Sequence, residues 1–134
     1  MKPRIIDFPK IQDPRGNLTF LQQPSQIPFE IKRTFWTYDV PGGETRGGHA
    51  FYEQHEILIA LSGSFDVVVK NVDGSLEKYS LNRSYYGLYL PAKTWRHIEN
   101  FSTNALALHV SSKFYATEDY IRDFKVFKEL IDDK

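Results

Sequence analysis

The segment from Arg46 to Val69 carries the pattern that most limits the fold. Large apolar side chains fall on every second position in two successive runs, Ile57, Ile59 and Leu61, then Phe65, Val67 and Val69. The residues Ser62-Gly63-Ser64 separate the runs. A period of two is typical of β-strands that bury one face, so we predict two strands joined by a tight turn. Such a sheet would hold in place the preceding loop, Arg46-Gly47-Gly48-His49, where paired glycines let the backbone approach a ligand closely.

Short apolar runs separated by turn residues continue through most of the chain. They cover residues 5–8, 18–20, 31–39, 76–81, 85–90 and 105–111. Asp73-Gly74 is a strong hairpin signal, because glycine supplies the positive φ that such a turn requires. Aromatic side chains fall on both faces of residues 31–39, which predicts a strand that is covered on both sides or that faces a ligand or partner.

The C-terminal tail has a different periodicity. Apolar residues recur at spacings of three and four, at Tyr120, Ile121, Phe124, Phe127, Leu130 and Ile131. This spacing predicts a helix with Thr117 as its N-cap, followed by Glu118 and Asp119 at the positive end of the helix dipole. About nine short strands and one terminal helix predict an all-β fold, a closed or sandwiched antiparallel domain with a short C-terminal helix.

Length and composition narrow the class of protein. No apolar run approaches the roughly 20 residues of a membrane span, so we expect one soluble domain over residues 1–134 with no membrane partner. The absence of cysteine excludes disulfides, thiolate catalysis and cysteine-ligated zinc. No signal peptide precedes Arg4, so a cytoplasmic location is expected. Seventeen acidic residues balance seventeen basic ones, which argues against a nucleic-acid partner.

His49 is the best candidate for a general base. It follows Arg46 by three residues and sits beside glycine, and an imidazole near its ordinary pKa takes and returns a proton at neutral pH. A loop histidine bonded to backbone is the alternative. Guanidinium groups match phosphate oxygens, so a phosphate could be bound by several arginines together, namely Arg15, Arg33, Arg46 and Arg96. Any one of these alone is better explained as a solvated surface arginine.

The remaining histidines have simpler interpretations. His55 and Glu56 read as a surface pair at a strand start, His97 could face a barrel mouth beside Arg96, and His109 fits a satisfied core polar group.

A first-row metal would need converging imidazoles or carboxylates. The residue two after His49 is Phe51, which cannot ligate, so we expect no metal.

Several motifs occur in an order that resembles a known family. They are Asp13-x-Arg15-Gly16, Ile31-Lys-Arg33, Arg46-Gly-Gly-His-Ala, the run from Glu56 to Val69, Gly87-Leu-Tyr-Leu and Tyr120-Ile-Arg-Asp. Together they resemble the dTDP-4-keto-6-deoxyglucose 3,4-ketoisomerases, small WxcM-like cupins related to the dTDP-4-dehydrorhamnose 3,5-epimerases. The resemblance implies a cupin or jelly-roll β-barrel (β-roll) and a homodimer with exchanged N-terminal strands. It also implies proton transfer without metal or cofactor. The substrate would be a dTDP-linked 4-keto-6-deoxyhexose bound at the barrel mouth, and the pathway would be deoxysugar synthesis for a surface glycan.

The resemblance also implies roles for individual residues. His49 would be the base, Arg96 or Tyr38 would stabilise the enolate oxygen, and the diphosphate would lie against Arg15, Arg33 and Arg46. Trp36 would stack on thymine, and Gly48 and His97 would complete the substrate site. The family pattern His-Ala-His reads His49-Ala50-Phe51 here. A related epimerase or isomerase, or a sugar-nucleotide-binding cupin without activity, is therefore the alternative function, beside a domain whose aromatics serve packing alone.

Overall fold

The computed structural model describes residues 2–132, which form two five-stranded antiparallel sheets and one helix. The first sheet has the spatial order β1 (Arg4–Asp7), β9 (Tyr86–Leu90), β6 (Glu56–Ser62), β11 (Leu106–Ser111) and β4 (Arg33–Tyr38). The second has the order β12 (Tyr120–Ile121), β5 (Arg46–Phe51), β10 (Trp95–Glu99), β7 (Phe65–Lys70) and β8 (Leu76–Leu81). β2 (Lys10–Ile11) and β3 (Leu18–Thr19) form a separate hairpin, and α1 covers Phe124–Asp132.

The two sheets enclose the main hydrophobic core. Its buried residues come from both sheets and include Leu58, Ala60, Phe65, Val67, Leu88, Ile98 and Ala107. Ile57 and Ile59, on the other face of β6, pack beneath the N-terminal segment with Phe8 and Ile27. Because β6 is covered on both faces, its sequence is continuously apolar from Ile57 to Ala60.

Both predicted turns occur where the sequence places them. The chain reverses between β6 and β7 at Gly63, whose φ is +65°. A Cβ at Gly63 would collide with Ser102 Oγ and would lie 2.8 Å from the Ala105 Cα, so only glycine fits. Gly74, with φ of +89°, closes the β7–β8 hairpin. The all-β antiparallel fold with a short C-terminal helix is confirmed.

The segment predicted as the Arg46 loop is instead a strand. β5 pairs with β10, His49 opposite Arg96 and Arg46 opposite Ile98, so β5 holds one extra residue across this interval. Gly47 has a φ of +74° within this β-bulge. The bulge explains the error, since glycines interrupted the apolar alternation that marks a strand in the sequence.

The predicted start of the helix was also wrong. Thr117–Asp119 is a single 3-10 turn without a side-chain cap, and Tyr120–Ile121 is β12, paired with β5. Asp119 is buried and accepts hydrogen bonds from the backbone N–H groups of Glu53 (2.9 Å) and Gln54 (3.1 Å), which holds this segment against the second sheet.

The helix itself begins after this strand. Asp123 Oδ1 accepts a hydrogen bond from the Lys125 N–H at 2.9 Å near the first turn of α1. Phe127 is the buried residue of α1 and packs with Ala50 and Ile121, as expected for a helix that covers the sheet. The helix thereby fixes the outer face of β5, whose inner face carries His49.

Candidate active site

A cavity of about 470 Å³ opens between the two sheets, where strands from both contribute polar side chains. Its lining residues are Phe35, Thr37, Thr45, Arg46, Gly47, His49, Phe51, Glu56, Leu58, Arg96, Ile98, His109, Tyr120 and Arg122. Imidazole, carboxylate and guanidinium groups thus meet in one space with an apolar floor. Such a concave site with a few convergent polar groups suits a small-molecule ligand.

His49 reaches the cavity from β5 between aromatic walls. Its ring makes edge contacts with Phe51 at 4.8 Å and with Tyr120 at 5.1 Å between ring centroids. A Cβ at Gly47 would lie 3.3 Å from His49 Cε1, so the bulge glycine leaves room for the ring. Burial, followed by the positive charge of Arg96, lowers the pKa of His49 to about 3. The imidazole is therefore neutral at pH 7.

Glu56 and Arg96 form a buried ion pair beside His49. Arg96 Nη2 donates to Glu56 Oε1 at 3.1 Å, and Arg96 Nη1 donates to the Thr94 carbonyl at 3.1 Å. Burial alone would raise the pKa of Glu56, but Arg96 and then His109 outweigh it and lower this pKa to about 2. The carboxylate stays ionised across the physiological range.

The interpretation of His55 and Glu56 as a surface pair was wrong. Glu56 faces the cavity and is buried, whereas His55 lies on the other side of the strand start and its Nδ1 is 2.7 Å from the Tyr89 hydroxyl. The period of two along the strand separates adjacent residues onto opposite faces, which the sequence interpretation did not apply at this position.

A polar chain continues behind the ion pair. Gln54 Nε2 donates to Glu56 Oε2 at 3.3 Å, and Arg33 Nη2 donates to Gln54 Oε1 at 3.2 Å. The Arg33 guanidinium also lies over the Phe35 ring at 4.5 Å. Arg33 is thus connected to the cavity through Gln54 but does not line it.

His109 enters the cavity from β11, in the opposite sheet to His49. Its Nε2 is 3.0 Å from Thr37 Oγ1, and its Nδ1 is 3.5 Å from Glu56 Oε1. The ring stacks on Phe35 with centroids 4.2 Å apart and planes 12° apart. The expected core histidine therefore faces the cavity.

Two further cations stand at the cavity. Arg46 is exposed and lies at the start of β5, and the Arg122 guanidinium lies over the Tyr120 ring at 4.3 Å. Arg46 also borders a neighbouring hollow of about 450 Å³ that contains Trp36 and Tyr38. The two hollows are therefore adjacent at Arg46.

The structure brings only some of the predicted site residues together. His49, Arg96 and Arg46 line the cavity. Gly48 is exposed beside them, and its neighbour Gly47 takes the lining position. Trp36 and Tyr38, 56% and 59% exposed, lie on the outward face of β4, so Tyr38 is not placed with the proposed base.

His97 and Arg15 lie elsewhere. His97 alternates with Arg96 along β10, and its Nε2 is 2.7 Å from Glu99 Oε1 outside the cavity. Arg15 pairs with Asp13 at 3.0 Å in the turn between β2 and β3, and its side chain is 90% exposed. Substrate binding by His97 and diphosphate binding by Arg15 stay predictions. The positions of these residues within one chain do not support them.

Sequence reasoning missed several residues of the cavity. Glu56, Thr37, Tyr120 and Arg122 were not proposed as site residues. The alternation of side chains along β6 was a usable signal for Glu56, because Glu56 lies on the same face of the strand as the core residues Leu58 and Ala60. Tyr120 and Arg122 belong to the Tyr120-Ile-Arg-Asp motif that carried the resemblance, but neither was assigned a role, and Tyr120 was placed in the helix.

Residues 2–132 contain neither a candidate membrane span nor a candidate metal cluster. No helix in this part of the chain has the length and apolar character of a membrane span. Within the same residues, no group of three or more His, Cys, Asp or Glu side chains is arranged to hold a metal ion.

Comparison with known proteins gives consistent matches along the chain. A curated relative, TDP-4-oxo-6-deoxy-alpha-D-glucose-3,4-oxoisomerase from Aneurinibacillus thermoaerophilus, is 34% identical over 132 residues, which are 98% of this chain and 94% of that protein. A mutant of the 3,4-ketoisomerase QdtA from Thermoanaerobacterium thermosaccharolyticum, solved with TDP-4-keto-6-deoxyglucose, superposes with a TM-score of 0.95 and 30% identity, over 99% of this chain and 96% of that one. A 3,4-ketoisomerase from Helicobacter canadensis gives a TM-score of 0.93 and 36% identity, over 98% of both chains.

A more distant match concerns the fold alone. The 3,5-epimerase RmlC from Legionella pneumophila is 17% identical, with a TM-score of 0.74 over 88% of this chain and 70% of that one. The β-barrel expected from the resemblance is thereby supported. The family model described as WxcM-like, C-terminal matches residues 1–132, and the chain belongs to this family.

Proposed function

We propose that this protein is a sugar-nucleotide 3,4-ketoisomerase that converts dTDP-4-keto-6-deoxyglucose to a dTDP-3-keto-6-deoxyhexose. The observation that carries the proposal is the neutral imidazole of His49 beside the Arg96 guanidinium in a cavity of substrate size. The similarity to named 3,4-ketoisomerases along nearly the whole chain supports the same activity.

The reaction moves a ketone from carbon 4 to carbon 3 of the sugar. His49 removes the proton from carbon 3, and the electrons flow toward the oxygen at carbon 4 to give an enediolate. Reprotonation at carbon 4 leaves the ketone at carbon 3. A positioned base of this kind contributes about 10²–10⁴-fold to the rate.

The proposed role of Arg96 is to stabilise the negative charge that develops on the sugar oxygen, which its position in the cavity lining supports. Its hydrogen bonds to Glu56 and to the Thr94 carbonyl hold the guanidinium in place before the reaction, so little reorganisation is needed when charge develops. Phe51, buried against His49, keeps water from the imidazole.

The nucleotide is proposed to extend from the cavity past Arg46. Arg46 and Arg122 are the cations at the cavity, and guanidinium groups bind diphosphate oxygens well. Trp36 and Tyr38 present exposed aromatic faces in the adjoining hollow, where thymine would stack. In this arrangement Tyr38 contacts the thymine ring and does not stabilise the enolate.

The homodimer with exchanged N-terminal strands is part of this proposal. Its support in the chain is the set of exposed apolar side chains on and beside the β2–β3 hairpin, namely Ile11, Leu18 and Phe20. Such side chains gather where a partner surface covers them. The cytoplasmic location stays a prediction.

Proton NMR of the purified protein with dTDP-4-keto-6-deoxyglucose in deuterated water tests the activity. We expect a 3-keto sugar with deuterium at carbon 4, and the configuration at that carbon identifies the product. His49→Asn is expected to abolish turnover and leave dTDP binding largely intact. Binding without exchange at either carbon in the wild type would identify a non-catalytic binder, and inversion at carbon 3 or 5 with the ketone unmoved would identify an epimerase.

A further inference from the structure

The proposed reaction moves two protons, and His49 accounts for one of them. The carbon proton leaves carbon 3 and returns to carbon 4, while the hydroxyl proton leaves the oxygen at carbon 3 and reaches the oxygen at carbon 4. The carbon proton departs perpendicular to the plane of the enediolate, whereas both oxygens lie in that plane. One imidazole fixed above the ring is therefore badly placed for the second transfer, and this inference rests on the proposed function.

Few groups lining the cavity can both accept and return a proton at neutral pH. Glu56 is held ionised by its pKa of about 2, and a guanidinium such as Arg96 stays protonated. An imidazole is the side chain suited to the task. Besides His49, the histidine that lines the cavity is His109.

The surroundings of His109 form a relay with three members. Thr37 Oγ1 lines the cavity and lies 3.0 Å from His109 Nε2. With its hydrogen on Nδ1, the ring directs that hydrogen toward Glu56 Oε1, 3.5 Å away, and accepts at Nε2 from the Thr37 hydroxyl. Stacking on Phe35 keeps the ring in this orientation.

The Nδ1 atom of His109 provides an independent indication. It is buried, and no residue in the described part of the chain gives it a hydrogen bond of good geometry. A buried polar group without a partner is destabilising. In the tautomer above, this atom carries the hydrogen that faces Glu56 Oε1 at 3.5 Å, so the carboxylate is in position to stabilise a proton that the ring takes up at Nε2 during the reaction.

We propose that Thr37 and His109 carry the hydroxyl proton of the sugar between the two oxygens during ketone migration. The O–H bond at carbon 3 breaks as that proton passes to Thr37 Oγ1, while the Thr37 proton passes to His109 Nε2. Glu56 stabilises the imidazolium. The proton then returns by the same route to the oxygen at carbon 4, as carbon 3 becomes the ketone. No oxidant or reductant enters, because carbon 3 is oxidised and carbon 4 is reduced within one sugar.

Separate measurement of the two proton transfers tests this relay. In His109→Gln the amide can keep a hydrogen bond to Thr37 but cannot take up a proton. We expect deuterium exchange at carbon 3 to stay within about tenfold of wild type, because His49 still forms the enediolate, while 3-keto product falls by about 10²–10⁴-fold. Thr37→Val removes the hydroxyl with little change in shape. It should likewise lower the rate of product formation relative to the rate of exchange at carbon 3.

His55→Gln is the matched control, since His55 also holds one hydrogen bond but lies outside the cavity. It should leave both rates unchanged. Product formation at the wild-type rate in a folded His109→Gln or Thr37→Val variant would overturn the relay. Parallel loss of exchange and product, with dTDP binding retained, would also overturn it in favour of a structural role. If His109→Gln does not fold, the ratio of product formation to exchange at carbon 3 in Thr37→Val tests the relay.

Failure of the proposed function has a different signature. A wild-type protein that shows neither exchange nor product with the dTDP sugar contradicts the ketoisomerase and the relay together. A wild-type protein that isomerises normally beside fully active His109→Gln contradicts the relay alone.

Discussion

Arg96 Nη2 and Glu56 Oε1 meet at 3.1 Å across the gap between the two sheets, with their side chains 2% and 3% exposed. Arg96 belongs to β10 of the second sheet, and Glu56 begins β6 of the first. The ion pair therefore fastens the walls of the cavity to each other. It also sets the electrostatics of the site, because Arg96 helps to keep His49 neutral.

Glu56→Gln is expected to destabilise the fold, since the substitution leaves the buried guanidinium of Arg96 without its counter-charge. Breaking a buried pair from one side typically costs about 3–5 kcal/mol of unfolding free energy. Denaturant unfolding at pH 7 measures the effect. Glu53→Gln is the control, because Glu53 pairs with Lys113 at 2.9 Å on the surface and its loss should not be measurable. Equal stability of both variants would show that water compensates Arg96.

His49 is expected to make stability depend on pH in the mildly acidic range. Its pKa is about 3 in the folded chain against an ordinary 6.5, so between these values the unfolded chain binds the additional proton. Stability should therefore fall as the pH drops from 6.5 toward 3, by at most about 1.4 kcal/mol for each pH unit. His49→Gln should show a smaller loss of melting temperature between pH 7 and pH 5. Equal losses would mean that folding does not lower the pKa of His49.

Glu56 acts in a lower pH window, which keeps the two effects apart. Its pKa falls from the ordinary 4.5 to about 2 on folding, so its contribution is complete above pH 4.5 and is lost as the pH falls toward 2. Melting curves at pH 7 and 5 therefore report mainly on histidine. Melting curves at pH 4 and 3 also include the loss of stability from protonation of the Glu56 carboxylate.

Local sequence patterns were enough for most of the strands, but not for β5, for β12 or for the cavity. The alternation of Phe65, Val67 and Val69 and the turn at Gly63 reflect interactions between near neighbours, which a sequence displays directly. The contact between Glu56 and Arg96 joins residues 40 positions apart, and it depends on how the two sheets close. No local pattern reports such closure.

His109 and Tyr120 illustrate two kinds of failure. His109 was expected to be a satisfied core polar group, but whether its face of the strand met a core or a cavity depended on the opposite sheet. Tyr120 occurred at helical spacing, yet Asp119 bonds to the backbone of Glu53 and Gln54, and this tertiary contact places residues 120–121 in a strand. Tertiary hydrogen bonds here outweighed local periodicity.

Arg46→Ala and Arg122→Ala are each expected to weaken dTDP binding by about 10- to 100-fold, because a charge-assisted hydrogen bond contributes about 1.5–3 kcal/mol. Titration calorimetry with dTDP checks this, and the loss should shrink at high salt. Arg83→Ala is the control, since Arg83 borders a different hollow, beside Lys10 and Tyr85. A Kd unchanged in both test variants would place the diphosphate elsewhere.

Leu18→Glu is expected to convert the proposed dimer into a monomer. Leu18 is 56% exposed on the β2–β3 hairpin, and a carboxylate buried against apolar partner groups would be desolvated without compensation. Light scattering coupled to size exclusion measures the mass, which should halve from wild type to variant. Leu76→Glu is the matched control, because Leu76 is equally apolar and exposed but lies on β8, at the edge of the second sheet, and its substitution should leave the mass unchanged. A wild-type protein that is monomeric at micromolar concentration would contradict the dimer itself. A Leu18→Glu variant that stays dimeric would instead move the interface away from the hairpin, and with it the argument that the N-terminal strands cross between copies.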